Sequence, residues 1–237
     1  MEAEAVPRPI AESAVATQRS SSLRPIEVTA MVVISAAMIA ASWFQWWPLG
    51  MTEVIGFASG GACVWLVVRE HIWNWPIGLL NNVVFFVLFL HSRLFADMWL
   101  QVVYFGLGAW GWWQWCFGGA QRSELKISRT LPVEWGALAV FIPLATWGFR
   151  IWLTAVNGAA PFWDSLTTVL SLGAQYLLCQ KRIENWWIWI AADIIYVPLY
   201  LSKNLQLTAV LYGVFMVLCV IGLREWQQRR RALTVAV

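Results

Sequence analysis

The residues able to do chemistry in this chain stand in hydrophobic surroundings at helical spacing. Trp186, Trp189, Asp193, Tyr196 and Tyr200 follow one another by steps of 3, 4, 3 and 4, which places them on one face of a helix. Trp75, Gly78, Asn82 and Phe85 form the equivalent stripe earlier in the chain. Asp97, Gln101 and Tyr104 make another, as do Thr208, Tyr212 and Phe215, and Asp164, Thr168, Ser171 and Gln175. Aromatic faces stack on flat rings and attract cations, while amides both donate and accept hydrogen bonds. Such a set suits recognition of a small, flat, polar solute. It does not suit bond-making, because His71 and His91 fall at opposite ends of their spans and no nucleophile stands beside a base. Cys63, Cys116, Cys179 and Cys219 sit singly in apolar runs and read as small hydrophobes, not as metal ligands or a disulfide frame. No cofactor is expected.

These stripes need elements to hold them, and composition says what kind. The chain is 237 residues long, 60% hydrophobic and 12% charged, against roughly 25% charged for a soluble domain. An all-α membrane protein follows. Eight spans are expected, near 28–44, 52–68, 75–90, 95–117, 133–152, 164–179, 185–201 and 205–223. Residues 1–27 lack apolar periodicity and read as a solvated tail with no secretory signal pattern. With eight spans, 13 of the 16 Lys and Arg residues fall on the side that holds both termini and the second, fourth and sixth loops. Only Arg93, Arg150 and Lys203 fall opposite. The positive-inside rule then puts both termini in the cytoplasm.

The chain also repeats itself. Residues 52–115 align without a gap on residues 163–226, with 13 identities in 64 pairs at an offset of 111. The shared Asn-Trp-x-Ile at 74–77 and 185–188 carries more information than the matched leucines. Asn82 and Asp193 occupy the same depth in the two copies. An internal duplication follows. Two three-helix repeats in the same orientation need one more crossing between them, which the span at 133–152 supplies. The plan is one extra N-terminal helix (28–50), repeat 1 (52–118), a loop and linker helix (119–160), repeat 2 (161–227) and a basic tail (228–237), the repeats related by an axis along the membrane normal.

The run Trp73-Asn74-Trp75-Pro76-x-Gly78, the pair Asn81-Asn82, and Asn185-Trp186-Trp187-Ile188 followed by Asp193, Tyr196, Pro198, Leu199 and Tyr200 resemble the PnuC family of bacterial nicotinamide riboside transporters. The resemblance spans about residues 52–227. It implies a fold similar to that of the SWEET sugar transporters, a homotrimer in the bacterial inner membrane, and facilitated diffusion made one-way by cytoplasmic phosphorylation. Relatives carry thiamine or riboflavin, so another vitamin, or a sugar, is the alternative, with proton coupling through Asp193. Stripes and motifs together nominate Trp73, Asn74, Trp75, Asn81, Asn82, Gln101, Tyr104, Gln175, Asn185, Trp186, Trp189, Asp193, Tyr196, Tyr200 and Tyr212 as substrate-binding. Pro198, which has Val87 as its mate, is nominated as a hinge. The partners expected are the solute, the bilayer and further copies of the chain, with no nucleic acid.

Plainer roles compete at several positions. Trp73, Trp75, Trp186 and Trp187 stand where interface anchors are common, and Trp112, Trp113 and Trp115 read as aromatic belt. Asn74 and Asn185 suit N-caps, with Pro76 in the first turn. Gln101 and Gln175 suit interhelical bonding. A retinal photoreceptor is excluded, since Lys126, Lys181 and Lys203 all lie in loops. A purely structural protein has no need of an amide and an acid at mid-span.

Overall fold

The computed structural model describes residues 23–44, 51–91, 95–156, 160–202 and 206–235. The tail before residue 23, Trp46, Trp47, Pro48, Arg93 and Lys203 lie outside the described residues, as do the side chains of Asp97 and Thr208. Eight helices are seen among them: α1 Pro25–Trp43, α2 Met51–Val68, α3 Asn74–His91, α4 Phe95–Phe117, α5 Pro132–Ala155, α6 Pro161–Cys179, α7 Asn185–Ser202 and α8 Gln206–Val235. No strand is present among the described residues beyond one isolated bridge between Ser128 and Arg182.

Local chemistry sets the helix ends. In α1 and α5 a proline opens the first turn and a glutamate stands two residues on, Pro25 with Glu27 and Pro132 with Glu134. Each carboxylate accepts from the N–H just before its helix, of Arg24 at 3.2 Å and Leu131 at 2.7 Å. That satisfies a donor the helix leaves orphaned and sets negative charge at the positive end of the dipole. The first helix therefore begins at Pro25, inside the stretch expected to be tail. The last runs on to Val235 through the expected basic tail, because Arg229 pairs with Glu225 one turn back at 3.6 Å and with Glu70 at 2.7 Å. Asn74 and Asn185 are not N-caps. Their side-chain amides donate backwards, to the carbonyls of His71 and Arg182.

Among the described residues three helical stretches, Pro25–Trp43, Pro132–Ala155 and Ala209–Leu233, are long and apolar enough to cross a membrane on length and composition alone. Gly56–Val68 and Asn74–Val87 are shorter apolar stretches among the described residues. Along α6 the hydroxyls of Ser165, Thr167 and Thr168 donate to the carbonyls of Pro161, Trp163 and Asp164 in the preceding turn. Such back-bonding lets a hydroxyl sit in apolar surroundings without an outside partner. Pro143 and Pro198 lie within continuous α5 and α7.

Helix contacts come in matched pairs. Helix α2 packs on α3 and α3 on α4, as α6 packs on α7 and α7 on α8. The two triplets meet through α2 against α8 and through α4 against α6. Helix α1 leans on α2 as α5 leans on α6. Ion pairs gather at one end of the bundle: Glu27 with Arg69, Glu70 with Lys181 and Arg229, and Glu134 with Arg182. The outer faces of α1 and α5 stay apolar and exposed, with Ile26, Val32, Val133, Leu144 and Trp147 among them. Those faces suit contact with lipid.

Candidate functional site

A cavity of about 460 Å³ opens between the two triplets. Nine pairs of its lining residues are related by the 111-residue offset: Gly60 and Ser171, Val64 and Gln175, Val67 and Leu178, Asn74 and Asn185, Trp75 and Trp186, Gly78 and Trp189, Asn82 and Asp193, Tyr104 and Phe215, and Gly108 and Cys219. The cavity is thus lined by both copies from matching positions. Duplication alone would make its two walls alike; the substitutions at Asn82/Asp193, Gly78/Trp189 and Tyr104/Phe215 make them different.

The end of the cavity nearest the ion pairs is built from tryptophans, and geometry 111 residues apart is nearly the same. Trp75 and Trp115 meet edge to face with centroids 5.3 Å apart, and Trp186 and Trp226 do so at 5.4 Å. Trp115 and Trp226 join the pairs, 6.1 Å apart. Each indole fits because a glycine lies behind it. A Cβ on Gly111 would strike the Trp75 ring, and one on Gly222 the Trp186 ring. Small residues at such crossings let helices approach closely. Trp115 is only 2% exposed, so it is core and not aromatic belt. Its belt-like neighbours, Trp112 and Trp113, do face outward. The indole N–H groups of Trp75 and Trp186 and the carboxamide oxygen of Asn185 have no hydrogen-bond partner among the described residues.

Higher in the cavity the walls diverge. Asp193, 3% exposed, meets the Cys219 thiol at 3.8 Å. No basic side chain among the described residues lies within ion-pair distance of it. A buried carboxylate with no cation at hand is costly and calls for a partner. Tyr196 and Tyr212 lie 4.4 Å apart, and Tyr200 stacks on Tyr212 at 5.1 Å, forming an aromatic ladder beside it. On the facing wall Asn81 accepts from the Ser59 hydroxyl at 3.1 Å, and Asn82 lies next along α3.

Of the nominated residues, Asn74, Trp75, Asn81, Asn82, Tyr104, Gln175, Asn185, Trp186, Trp189, Asp193, Tyr196 and Tyr212 line this cavity. Three do not. Trp73 is 58% exposed in the turn before α3. Gln101 lines a separate hollow of about 190 Å³ between α3 and α4, which shares only Asn82 with the main cavity. Tyr200 reaches the ladder but not the lining. Cys63, Cys219, Gly60, Gly108 and Leu100 were missed. Gly60 was within reach of sequence reasoning, being the offset mate of Ser171.

Comparison with known proteins agrees in fold and in sequence. The family model described as nicotinamide mononucleotide transporter matches residues 50–228. The chain is 29% identical over 205 residues to the nicotinamide riboside transporter PnuC of Escherichia coli (strain K12), covering 75% of this chain and 85% of that one. It is 24% identical over 184 residues to the riboflavin/roseoflavin transporter RibM of Streptomyces davaonensis, covering 76% and 86%. Among solved structures, the crystal structure of the vitamin B3 transporter PnuC superposes with a TM-score of 0.66 at 20% identity, over 92% of this chain and 98% of that one.

Proposed function

The chain belongs to the nicotinamide mononucleotide transporter family, and from that premise we propose that it carries nicotinamide riboside across the bacterial inner membrane by uncoupled facilitated diffusion. The observation that carries the substrate is Asp193, a buried carboxylate without a basic partner among the described residues, set beside stacked tyrosines in a cavity floored by tryptophan. Nicotinamide riboside brings what this site lacks. Its pyridinium supplies the positive charge, its ring a face for Trp or Tyr, and its carboxamide and ribose the donors and acceptors that Asn81, Asn82 and Gln175 match. A desolvated cation–π contact is worth ~2 kcal/mol, and a charge-assisted hydrogen bond adds more.

In this reading residues 52–118 and 161–227 are two parallel three-helix repeats, α5 is the crossing that returns the second to the orientation of the first, and the cavity lies on the axis between them. The matched contacts of α2 with α8 and α4 with α6 support it. Both termini face the cytoplasm, on the side richer in Lys and Arg. Transport proceeds by alternating access, and phosphorylation in the cytoplasm traps the product. The active form is a homotrimer.

The test is quenching of tryptophan fluorescence in purified protein, titrated with nicotinamide riboside and, in competition, with riboflavin, thiamine and a hexose. Saturable quenching by nicotinamide riboside, weakened about tenfold or more in Asp193→Asn, is the expected result. A tighter response to riboflavin, the cargo named for the Streptomyces relative, would replace the substrate and keep the site.

A further inference from the structure

The end of the cavity beside the ion pairs is shut by bonds that cross between the two copies. We propose that this end is the cytoplasmic gate, held closed by an ion latch in which Glu70 joins Lys181 and Arg229. The inference rests on the transport reading above and adds to it which residues must part for the solute to leave.

Three layers close this end. The first is Trp75 and Trp186, which floor the cavity. The second is Trp115 and Trp226, whose indoles reach across: Trp115 donates to the Leu178 carbonyl at 3.0 Å and Trp226 to the Val67 carbonyl at 3.1 Å. Those two acceptors are themselves 111 residues apart, so each copy grips the other at the same place. The third layer is charged. The Lys181 ammonium lies 3.4 Å from Glu70, again its own offset mate, and 4.4 Å from the centre of the Trp115 ring. Arg229 donates to the other Glu70 oxygen at 2.7 Å and to the Arg69 carbonyl at 3.0 Å. Glu70 therefore holds two cations at once, Lys181 and Arg229, both from the α6–α8 triplet.

The backbone around the latch is held, not relaxed. Glu70 and Lys181 have φ of 56° and 49°, a left-handed conformation that side-chain-bearing residues adopt uncommonly. Each ends its helix in the same motif: His71 N–H bonds to the Leu66 carbonyl as Arg182 N–H bonds to the Leu177 carbonyl. Strain of this kind persists where surrounding contacts enforce it, and clusters in switching regions. The enforcement differs between the copies. Lys181 is strapped from the α4–α5 connection, where Ser128 N–H donates to the Lys181 carbonyl and the Ser128 carbonyl accepts from Ile183, both at 3.0 Å. Glu70 has instead the extension of α8, through Arg229. Opening requires the copies to part here, which breaks the two indole bonds and strips Glu70 of both cations. Neutralising Glu70 removes both of its ion pairs at one stroke and leaves only the longer contact of Arg69 with Glu225 at 3.8 Å among the described cross-copy pairs.

The readout is Cys63, which lines the cavity above the tryptophan floor. Inside-out and right-side-out membrane vesicles are treated with a membrane-impermeant thiol reagent, and modification of Cys63 is followed by peptide mass spectrometry, with no solute present. Glu70→Gln is expected to raise the rate from the cytoplasmic face roughly tenfold, with no rise from the opposite face. Arg229→Gln, which removes the bonds to Glu70 and to the Arg69 carbonyl, and Trp226→Phe, which removes the one to Val67, move the rate in the same direction and serve if Glu70→Gln does not accumulate. Fluorescence titration of Glu70→Gln with nicotinamide riboside is expected to match the unaltered protein within about twofold, because Glu70 does not line the cavity. An unchanged cytoplasmic rate, or equal acceleration from both faces, overturns the gate. One-sided acceleration in a protein that does not respond to nicotinamide riboside keeps the gate and removes the substrate.

Discussion

Gly222→Ala tests whether the tryptophan floor is packed as tightly as its geometry states. A Cβ at Gly222 would stand 2.5 Å from Cη2 and Cζ2 and 2.7 Å from Cε2 of Trp186. Carbon atoms at optimal separation lie about 3.5–4.0 Å apart, so the overlap is about 1 Å. The indole cannot swing towards Trp226, against which it is fully buried. Either Trp186 shifts into the cavity or α7 and α8 separate, and over-packing of this sort costs about 1–3 kcal/mol. Alanine also gains about 1 kcal/mol over glycine in a helix interior, which would blur the result. Gly213→Ala removes that ambiguity: it lies on the same helix, and a Cβ there meets nothing within 4 Å. The difference between the two alanine variants isolates the clash at about 1–3 kcal/mol, or roughly 2–12 °C in Tm for a chain of this size. Thermal unfolding in detergent, followed by light scattering, measures it. Because Trp186 lines the cavity, Gly222→Ala should also weaken nicotinamide riboside binding several-fold while Gly213→Ala does not. Tm values within about 1 °C of each other, with equal binding, would refute the packing argument.

Gly111→Ala should reproduce the Gly222→Ala result through Trp75, with Gly106→Ala as its neutral counterpart, since the former meets that ring and the Cys179 sulfur and the latter nothing. Replacing Pro198 by Val should slow transport in proteoliposomes while leaving binding nearly intact, if span α7 bends there during the cycle; lost binding at normal turnover would count against a hinge. Glu134→Gln should lower stability by about 2 kcal/mol, because the carboxylate both caps α5 and holds Arg182 through two bonds at 3.0 and 3.2 Å. Glu27→Gln should cost less, since its contact with Arg69, at 3.4 Å, is a single ion pair. Thermal unfolding ranks the two, and the reverse order would sink the comparison.

Much of this protein could be read from residue order. Apolar runs of membrane length fix the helices within a few residues, apart from the C-terminal end of α8, which runs on past the apolar run to Val235, because bilayer thickness and the absence of water leave a spanning chain no other regular choice. The uninterrupted 111-residue offset announced the duplication, and helical spacing put Trp186, Trp189, Asp193 and Tyr196 on one face before any coordinates. Periodicity knows only the helix it belongs to. It placed Gln101 on a polar stripe with Tyr104, but only the packing of α4 against both α3 and α6 decides that Tyr104 enters the cavity while Gln101 enters a side hollow. Trp112, Trp113 and Trp115 look alike in sequence, and the crossing of α4 with α3 and α6 alone buries the third. Charge pattern could count arginines on a side, yet not foretell that Glu70 would meet Lys181, its own mate in the other copy. That pairing exists only once the two copies face each other, since residues 111 apart in sequence become neighbours through tertiary contact and by no local rule.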